Sequence, residues 1–307
     1  MADMKRATKD VLYGVTGADN EVTLCVSPGE EFEVETQMNA GPWLDEHPDG
    51  EALRARIPGG NPSSGCIAVE GAEPGQILKV RVGEFDLDDI GFTSFAGANN
   101  AMPSWFGVTE IGRHHRIVKI RDGWIEWDER LKLETRPMLG FVGVAPERER
   151  HANAWGGDWG GNFDVPEITT GAEVSLVVQV PGALLHVGDM HARQGDGEIC
   201  GAGGIETGGR VRLSCSLAPR PKEMTWPRVE DDTHIMTIGM ARPADDAFRI
   251  ALAELILWLD ASYGFSRGDA YLLLGQVLEA RVTQFVNPTV TYVAKVAKKY
   301  LPSLKRA

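Results

Sequence analysis

The amino-acid sequence predicts an α+β protein with a β-rich, sandwich-like or barrel-like body and a C-terminal α/β part that contains two main helices. Short runs of β-branched residues, separated by Gly and Pro, fill the chain from about residue 21 to residue 216. Helical spacing of apolar residues replaces these runs after Met240. Strands and helices do not alternate along the chain as they would in a parallel doubly wound sheet.

The β-rich body is expected to occupy residues 1–225 as one domain that carries the active site. Its clearest strand candidates are four runs rich in β-branched residues, at 77–82, 117–120, 174–180 and 211–215. A chain of 307 residues with 43% hydrophobic content is long enough to bury a large core.

The first C-terminal helix is expected to open at Pro243, because proline is well tolerated at the first position of a helix. Ala247, Ala251 and Leu255 then recur at helical spacing, and Trp258 follows near the same face. This pattern predicts an amphipathic helix.

A second helix is expected to begin at Ser266, whose hydroxyl can cap it while Asp269 lies three residues later. Apolar residues continue toward Phe285, and Asn287-Pro288 should end the helix. Residues 226–307 are therefore expected to form a C-terminal α/β segment packed against the body.

The charge and cysteine content exclude broad classes of partner. The chain has 44 acidic against 31 basic residues, a net charge of −13, which opposes attraction to nucleic-acid phosphates or anionic lipid.

The apolar stretch 250–259 is short and interrupted by Glu254, so no membrane span is expected, and the first ten residues do not resemble a signal peptide. The four cysteines lack a CxxC pair, which is typical of reduced thiols in a cytoplasmic protein.

The densest group of reactive side chains lies in the segment VGDMHARQGDGEICG, residues 187–201. Asp189 and His191 are two residues apart and would project from the same face of a strand. Glycines on both sides of Asp196 allow a sharp turn that brings Asp196 and Glu198 back toward the imidazole. One imidazole and several carboxylates can bind a divalent ion such as zinc, with calcium as the alternative, and Glu198 could take a proton from a water beside it.

An isolated Asp-x-His would rather indicate a β-turn with solvated acids and one hydrogen-bonded histidine. The additional GDGE string favours a functional site over such a turn. His186 would face away from His191 on a regular strand. The sequence contains no GxSxG elbow, no phosphate-binding loop ending in GK[ST], and no GxGxxG after a clear strand.

Two further segments carry candidate residues. In WGGNFD, residues 159–164, the glycines leave room for a ligand and Asn162 offers both a donor and an acceptor, which an amide substrate needs. The alternative is a glycine turn in which Asp164 caps the next strand. In residues 61–75, Glu70 follows a strand-like run and could equally be an exposed strand end.

Four segments, taken in order along the chain, resemble the recurrent motifs of the acetamidase/formamidase family: NPSSGCIAVEGAEPGQ, RPMLGFVGVAPE, WGGNFD and PGALLHVGDMHARQGDGEICGAGGIET. Each motif is modest alone, but the ordered set is specific. The resemblance extends weakly through the helical part and covers about residues 21–286.

The resemblance implies hydrolysis of short aliphatic amides to carboxylate and ammonia by an oligomer, here a dimer or tetramer, with a site built around the string GDxHAxxGDGE. We therefore predict a small-molecule amide as substrate, a bound divalent ion, and three groups of residues. The predicted catalytic residues are Glu198, Asp189 and His191; the metal ligands are His191, Asp189, Asp196 and Asp164; the substrate-binding residues are Asn162, Glu70, Asn61 and Trp159.

The chain also departs from the family. It reads ETQMN at residues 35–39, where many relatives have an acidic residue shortly after the Glu-Thr pair, so a carboxylate is expected to be missing from the pocket. Segments 41–59 and 92–106 do not align with the family. Two alternatives follow: a hydrolase of a larger amide, a urea-like or a cyclic compound, with Trp43, Trp105 or Trp159 as an apolar wall, and a metal-supported binding protein without turnover.

Overall fold

The computed structural model describes residues 4–95 and 114–302, which are mostly β-strand. The strands are β1 Lys5–Ala7, β2 Val15–Thr16, β3 Leu24–Val26, β4 Glu31–Thr36, β5 Ser63–Val69, β6 Gln76–Phe95, β7 His114–Arg121, β8 Trp124–Glu126, β9 Lys132–Glu134, β10 Met138–Val144, β11 His151–Ala152, β12 Gly156–Gly157, β13 Gly160–Asn162, β14 Glu173–Val177, β15 Leu185–His191, β16 Ala202–Pro219, β17 Arg228–Glu230, β18 His234–Ala241, β19 Glu279–Gln284 and β20 Val290–Ala297. The helices are α1 Gly50–Arg56, α2 Ala244–Trp258 and α3 Arg267–Val277, with a π-helical turn at Leu259–Tyr263 and 3₁₀ turns at Pro42–Asp45 and Lys298–Tyr300.

Eighteen of these strands join in one sheet that curls into a half-barrel, and β2 pairs separately with β11. The two longest strands, β6 and β16, run antiparallel from the pair Gln76–Pro219 to the pair Ser94–Ala202. Strand β15 lies inside the sheet, where it pairs with β10, β5 and, at one position, β16. The prediction of a β-rich body is confirmed, and its four strand candidates all overlap strands.

The core lies between the inner faces of the curled sheet. Strand β4 shows the alternation that a half-buried strand requires: Phe32 and Val34 are buried, while Glu31 is exposed and Glu33 and Glu35 are half-buried. Strand β15 is buried along its whole length. The charged side chains of Asp189 and His191 are therefore held inside the protein, where a charge needs a partner.

Helix α2 covers the sheet near its C-terminal strands. Asp245 and Asp246 occupy its first turn, where the helix dipole favours negative charge. Ala247, Ala251 and Leu255 are buried, as the helical spacing predicted.

Helix α3 begins as expected but is shorter than predicted. The Ser266 hydroxyl accepts a 3.1 Å hydrogen bond from the backbone N–H of Asp269 and caps the helix. The predicted continuation toward Phe285 is wrong, because the helix ends at Val277 and β19 follows at Glu279–Gln284, paired with β20. Backbone pairing along β20 outweighs the helical spacing in this segment.

Within the described ranges, no helix has the length and apolar character needed to cross a bilayer. All four cysteines are free thiols, as the absence of a CxxC pair suggested. Trp105, one of the predicted wall residues, lies outside the described residues.

Candidate active site

Five buried ionisable side chains converge at the end of β15. They come from the loop after β13, from β15 itself, from the loop after β15 and from β16, and they are Asp164, Asp189, His191, Glu198 and Glu206. Four carboxyl groups and one imidazole so close together in the interior require protons or a cation to balance their charge.

The imidazole of His191 lies in the middle of this cluster. Its Nε2 is 3.5 Å from Oδ1 of Asp189 and 3.4 Å from Oε1 of Glu206, but forms no directed hydrogen bond with either. Glu206 is brought there by strand pairing, since it is the residue of β16 that pairs with His191. Burial would lower the pKa of His191, but the negative charges of Glu206 and Asp189 outweigh it and raise that pKa well above 6.5.

Three of the carboxyl groups also have raised pKa values. Burial raises the pKa of Glu198 to about 8, against the opposing charge of His191. Burial, followed by the charges of Glu198 and Asp189, raises the pKa of Asp164 well above 3.8. Burial and the charge of Asp189 raise the pKa of Glu206 above 4.5. The cluster can therefore store and release protons near neutral pH.

Amide side chains stabilise the acids of the cluster by donating hydrogen bonds to them. The Nδ2 of Asn39 lies 3.2 Å from Oδ1 of Asp189, 3.1 Å from Oε2 of Glu206 and 3.0 Å from Oδ1 of Asn61. The Nδ2 of Asn61 donates to Oδ2 of Asp189 at 3.0 Å and to Oδ1 of Asn162 at 2.7 Å. A carboxylate in place of Asn39 could not donate to either acid, so an amide at this position reduces repulsion inside the cluster.

Three buried polar atoms of the cluster lack a hydrogen-bond partner in residues 4–95 and 114–302: Oδ1 of Asp164, Nε2 of His191 and Oε2 of Glu198. Buried polar atoms without a partner are rare and indicate a missing ligand, ion or water. Two sets of three groups hold one ligand atom each within 4.8 Å of the others and share His191; they are Asp164, Asp189 and His191, and His191, Glu198 and Glu206. One nitrogen and several carboxyl oxygens at such spacing suit a divalent cation.

The backbone at the cluster is strained. Asp164, Asp189 and Glu198 have φ values of +49°, +54° and +42°, a left-handed region that residues other than glycine rarely adopt. Such strain is concentrated at functional sites, where surrounding contacts impose it.

The cluster opens into a cavity of about 510 Å³. It is lined by polar side chains, which are Asn39, Asn61, Asn162, Asp189, Glu198 and Glu206, and by apolar or aromatic ones, among them Pro42, Pro58, Phe92, Phe95, His114 and His115. A cavity lined by apolar side chains together with a few polar groups is typical of a small-molecule site.

The chain is similar to proteins of one family in both sequence and structure. A sequence profile described as the Acetamidase/Formamidase family matches residues 144–299, just over half of the chain. The structure superimposes on that of an acetamidase from Yersinia enterocolitica with a TM-score of 0.88 and 30% identity, covering 98% of this chain and 93% of the other. The chain belongs to the acetamidase/formamidase family.

Two curated members of the family match parts of the chain. A formamidase from Methylophilus methylotrophus is 27% identical over 62% of this chain and 60% of its own length. An acetamidase from Mycolicibacterium smegmatis is 45% identical over 38% of this chain and 34% of its own length. The chain thus spans 60% or less of these curated relatives.

The family string GDxHAxxGDGE is only partly gathered in space. Asp189, His191 and Glu198 meet in the cluster, but Asp196 is held away by a 2.6 Å ion pair with Arg281 in solvent. The side chain of Asp196 is exposed, so the structure does not bring this predicted ligand to the others.

The predicted substrate-binding residues divide in the same way. Asn61 and Asn162 line the cavity. Glu70 is exposed and accepts a 2.7 Å hydrogen bond from Ser27, so it is the exposed strand end that the sequence left open. Trp159 stacks on His151 at 3.7 Å between ring centroids and is not among the residues that line the cavity.

Sequence reasoning missed several residues of the site. Glu206 lies inside a quoted family motif, GAGGIET, but nothing local to it indicated a role. Asn287, whose Nδ2 donates to Oδ2 of Asp164 at 2.6 Å, was interpreted only as the end of a helix. Gln194, which bonds to His191, stands within the HARQGDGE string without a signal of its own.

His186, the other histidine of β15, faces a separate buried cluster as expected. Its Nδ1 lies 3.1 Å from the hydroxyl of Ser63 and its Nε2 lies 3.2 Å from Nδ2 of Asn20. Burial lowers the pKa of His186 to about 4, so it is neutral at physiological pH.

Proposed function

We propose that this protein is an amidohydrolase that cleaves the carbon–nitrogen bond of a small linear amide with the help of a divalent cation, most suitably zinc. Membership of the acetamidase/formamidase family supports the reaction class. The observation that carries the proposal is the buried convergence of His191 with four carboxyl groups. Three polar atoms of this cluster, one on the imidazole and two on carboxyl groups, have no hydrogen-bond partner in the described ranges.

His191, Asp164 and Asp189 are the residues proposed to hold the cation, with Glu206 beside them. A single imidazole among carboxylates suits zinc better than calcium, which prefers oxygen ligands. When bound, such a cation supplies positive charge that polarises the amide carbonyl and lowers the pKa of a neighbouring water.

Glu198 is proposed as the general base and acid. Burial raises its pKa to about 8, which supports an exchange of protons by its carboxyl group near neutrality. Glu198 accepts a proton from water as the water oxygen bonds to the carbonyl carbon, and then returns that proton to the leaving nitrogen. The carbon–nitrogen bond breaks to give a carboxylic acid and ammonia, and the proton of the acid then passes to ammonia, so that an amide plus water becomes a carboxylate plus ammonium.

Two asparagines are proposed to orient the amide. Because Oδ1 of Asn162 already accepts from Asn61, its Nδ2 is the group left to donate to the substrate carbonyl. The Oδ1 of Asn39 is buried without a partner in the described part of the chain and can accept from the substrate nitrogen. Asn61 holds both side chains in place.

The decisive experiment measures ammonia release from formamide, acetamide and propionamide by protein whose metal content has been determined, before and after treatment with a chelator. Urea in the same panel, and a cyclic amide whose ring opening is followed by the amino acid that forms because it releases no ammonia, would reveal the broader hydrolase. Metal-loaded protein that releases no ammonia from any of the three linear amides would contradict the proposal. Full activity of metal-free protein would contradict only the role of the cation. Self-association as a dimer or tetramer stays a prediction, to be tested by light scattering.

A further inference from the structure

Gln194 makes three hydrogen bonds that connect the imidazole of His191 to two other segments. Its Nε2 donates to the backbone oxygen of Asp164 at 2.9 Å and to that of Thr283, in β19, at 3.0 Å. Its Oε1 lies 2.8 Å from Nδ1 of His191. The side chain thus bridges the loop after β13, the loop after β15 and β19.

These contacts leave the amide group of Gln194 only one orientation. Backbone carbonyl oxygens can only accept hydrogen bonds, so the NH₂ group must face Asp164 and Thr283, and both of its hydrogens are used. The reversed orientation would place an oxygen against two carbonyl oxygens. The Oε1 atom therefore faces His191 and can only accept, so the hydrogen bond is donated by Nδ1–H of the imidazole.

We infer that Gln194 is a positioning residue that fixes the tautomer and the rotation of His191. With the proton held on Nδ1, the neutral imidazole carries its lone pair on Nε2, the atom that faces Asp189 and Glu206. This inference rests on the proposed function, because it treats Nε2 as the atom that binds the cation.

The backbone at Gly204 in β16 also packs against the imidazole ring. A Cβ at this position would stand 2.5 Å from Nδ1 of His191 and 2.8 Å from its Cγ, so the glycine allows β16 to lie directly against the imidazole. Gln194 then sets the angle of the ring within that contact.

An amide is better suited to this position than a carboxylate. A carboxylate would accept from Nδ1–H, but it could not donate to the two carbonyl oxygens and would add a half-buried negative charge beside the four acids of the cluster. Gln194 orients the imidazole without adding negative charge.

Two variants separate this role from a purely structural one. Gln194→Met and Gln194→Glu both lose the hydrogen bonds to Asp164 and Thr283, but only the glutamate keeps an acceptor for Nδ1–H. A structural role predicts equal effects of the two variants on zinc binding. The positioning role predicts that Gln194→Met weakens zinc affinity about 10–100-fold and that Gln194→Glu restores most of it, although both variants are destabilised.

The experiment measures the zinc dissociation constant by competition with a chelating dye, and the ¹⁵N and ¹H NMR signals of the histidine rings in ¹⁵N-histidine-labelled, zinc-loaded protein. His191 is assigned from the signals that His191→Ala loses. The wild-type protein should show a slowly exchanging proton on Nδ1 that is absent or exchange-broadened in Gln194→Met and present in Gln194→Glu.

Arg193→Ala is the matched control, because it removes a 2.9 Å hydrogen bond from the same loop to the backbone oxygen of Glu134 without touching the ring. The zinc affinity and the NMR spectrum of this variant should equal those of wild type.

The outcomes distinguish this inference from the proposed function. Wild-type protein that shows the Nδ1 proton and binds zinc, but releases no ammonia, would contradict the function and leave the inference intact. Active wild-type protein whose Gln194→Met variant keeps both its zinc affinity and its Nδ1 proton would overturn the inference alone. If Gln194→Met does not fold, an unprotonated Nδ1 in the wild-type spectrum would overturn it.

Discussion

Gly140 in β10 leaves the space that the carboxylate of Asp189 occupies. A Cβ at residue 140 would collide with Oδ2 of Asp189 and stand 2.6 Å from Oδ1 of Asp164. Two of the acids proposed to hold the cation therefore pack against a bare backbone, and a methyl group there would push them apart.

We expect Gly140→Ala to lose most of its bound metal and at least 100-fold of its amidase activity, because a displacement of about 1 Å in the ligands is enough for such a loss. Metal content per chain and ammonia release are the measurements. Gly195→Ala is the control, since a Cβ at residue 195 meets nothing within 4 Å although this glycine belongs to the same site loop as Glu198. Normal metal content in Gly140→Ala would refute the proposed placement of the cation.

Replacing Glu198 with Gln should separate proton transfer from metal binding. Removing a general base typically lowers the rate by about 10²–10⁴-fold, so kcat should fall by that factor while the metal content stays close to one ion per chain. Asp196→Asn is the matched control, because Asp196 lies in the same loop but pairs with Arg281 in solvent. An unchanged kcat in Glu198→Gln would remove this residue from the mechanism.

The His191→Ala variant should lose the metal as well as the activity, because it removes the only imidazole of the described cluster. Elemental analysis after dialysis against a metal buffer is the measurement. Retention of metal together with activity would mean that the carboxyl groups alone bind the cation.

These residues also show how far the sequence could predict the site. Asp189 and His191 were predicted to meet because strand alternation is local information, and their atoms lie 3.5 Å apart. Glu206 could not be predicted, because its position depends on the register between β15 and β16. Asn39 and Asn287 come from distant parts of the chain, and only the folded sheet brings them to the acids.

The fold shows the same division between local and long-range information. The strands of the body and helix α2 follow from local patterns of β-branched residues and from the spacing of Ala247, Ala251 and Leu255. The end of α3 and the beginning of β19 depend on pairing with β20, which no local pattern records. The curl of the sheet into a half-barrel likewise depends on which strands pair.

The metal-free protein should become less stable as the pH rises from about 6.5 to 8.5. The pKa values of Glu198, Asp164, Glu206 and His191 are all raised by folding, so the folded state binds more protons than the unfolded state. The free energy of unfolding then falls with pH, by up to about 1.4 kcal/mol per pH unit for each proton. Below pH 6.5 His186 opposes this trend, because folding lowers its pKa to about 4. Its contribution to the free energy of unfolding is therefore lost as the pH falls from 6.5 toward 4.

The measurement is the Tm of chelator-treated protein at constant ionic strength across this pH range. Glu198→Gln should show a shallower decline, because a glutamine carries no proton that folding could retain. Added zinc should flatten or reverse the decline, since a cation competes with these protons. A metal-free Tm that rises between pH 6.5 and 8.5 would contradict the protonation states assigned to the cluster.

The buried ion pair between Arg228 and Glu254 should control stability and not catalysis. Oε1 of Glu254 accepts hydrogen bonds from Nε and Nη2 of Arg228 at 2.9 and 2.7 Å, and the guanidinium lies over the ring of Trp258 at 4.9 Å. Both side chains are almost fully buried, and neither lines the cavity. Glu254→Ala should lower the free energy of unfolding by about 3–5 kcal/mol, because it leaves an unpaired buried charge.

The double variant Arg228→Met/Glu254→Leu should regain most of that loss, since apolar side chains of similar size can replace a buried pair without the cost of desolvating charge. Urea unfolding of the single and double variants gives the coupling between the two residues. The kcat of each folded variant should stay within about twofold of wild type, because the pair anchors α2 to β17 and contributes no atom to the acids around His191. Oε2 of Glu254 also accepts from the backbone N–H groups of Thr225 and Trp226 at 3.3 and 3.5 Å. A double variant as unstable as Glu254→Ala would show that the cost comes from lost packing or from these N–H groups and not from the unpaired guanidinium.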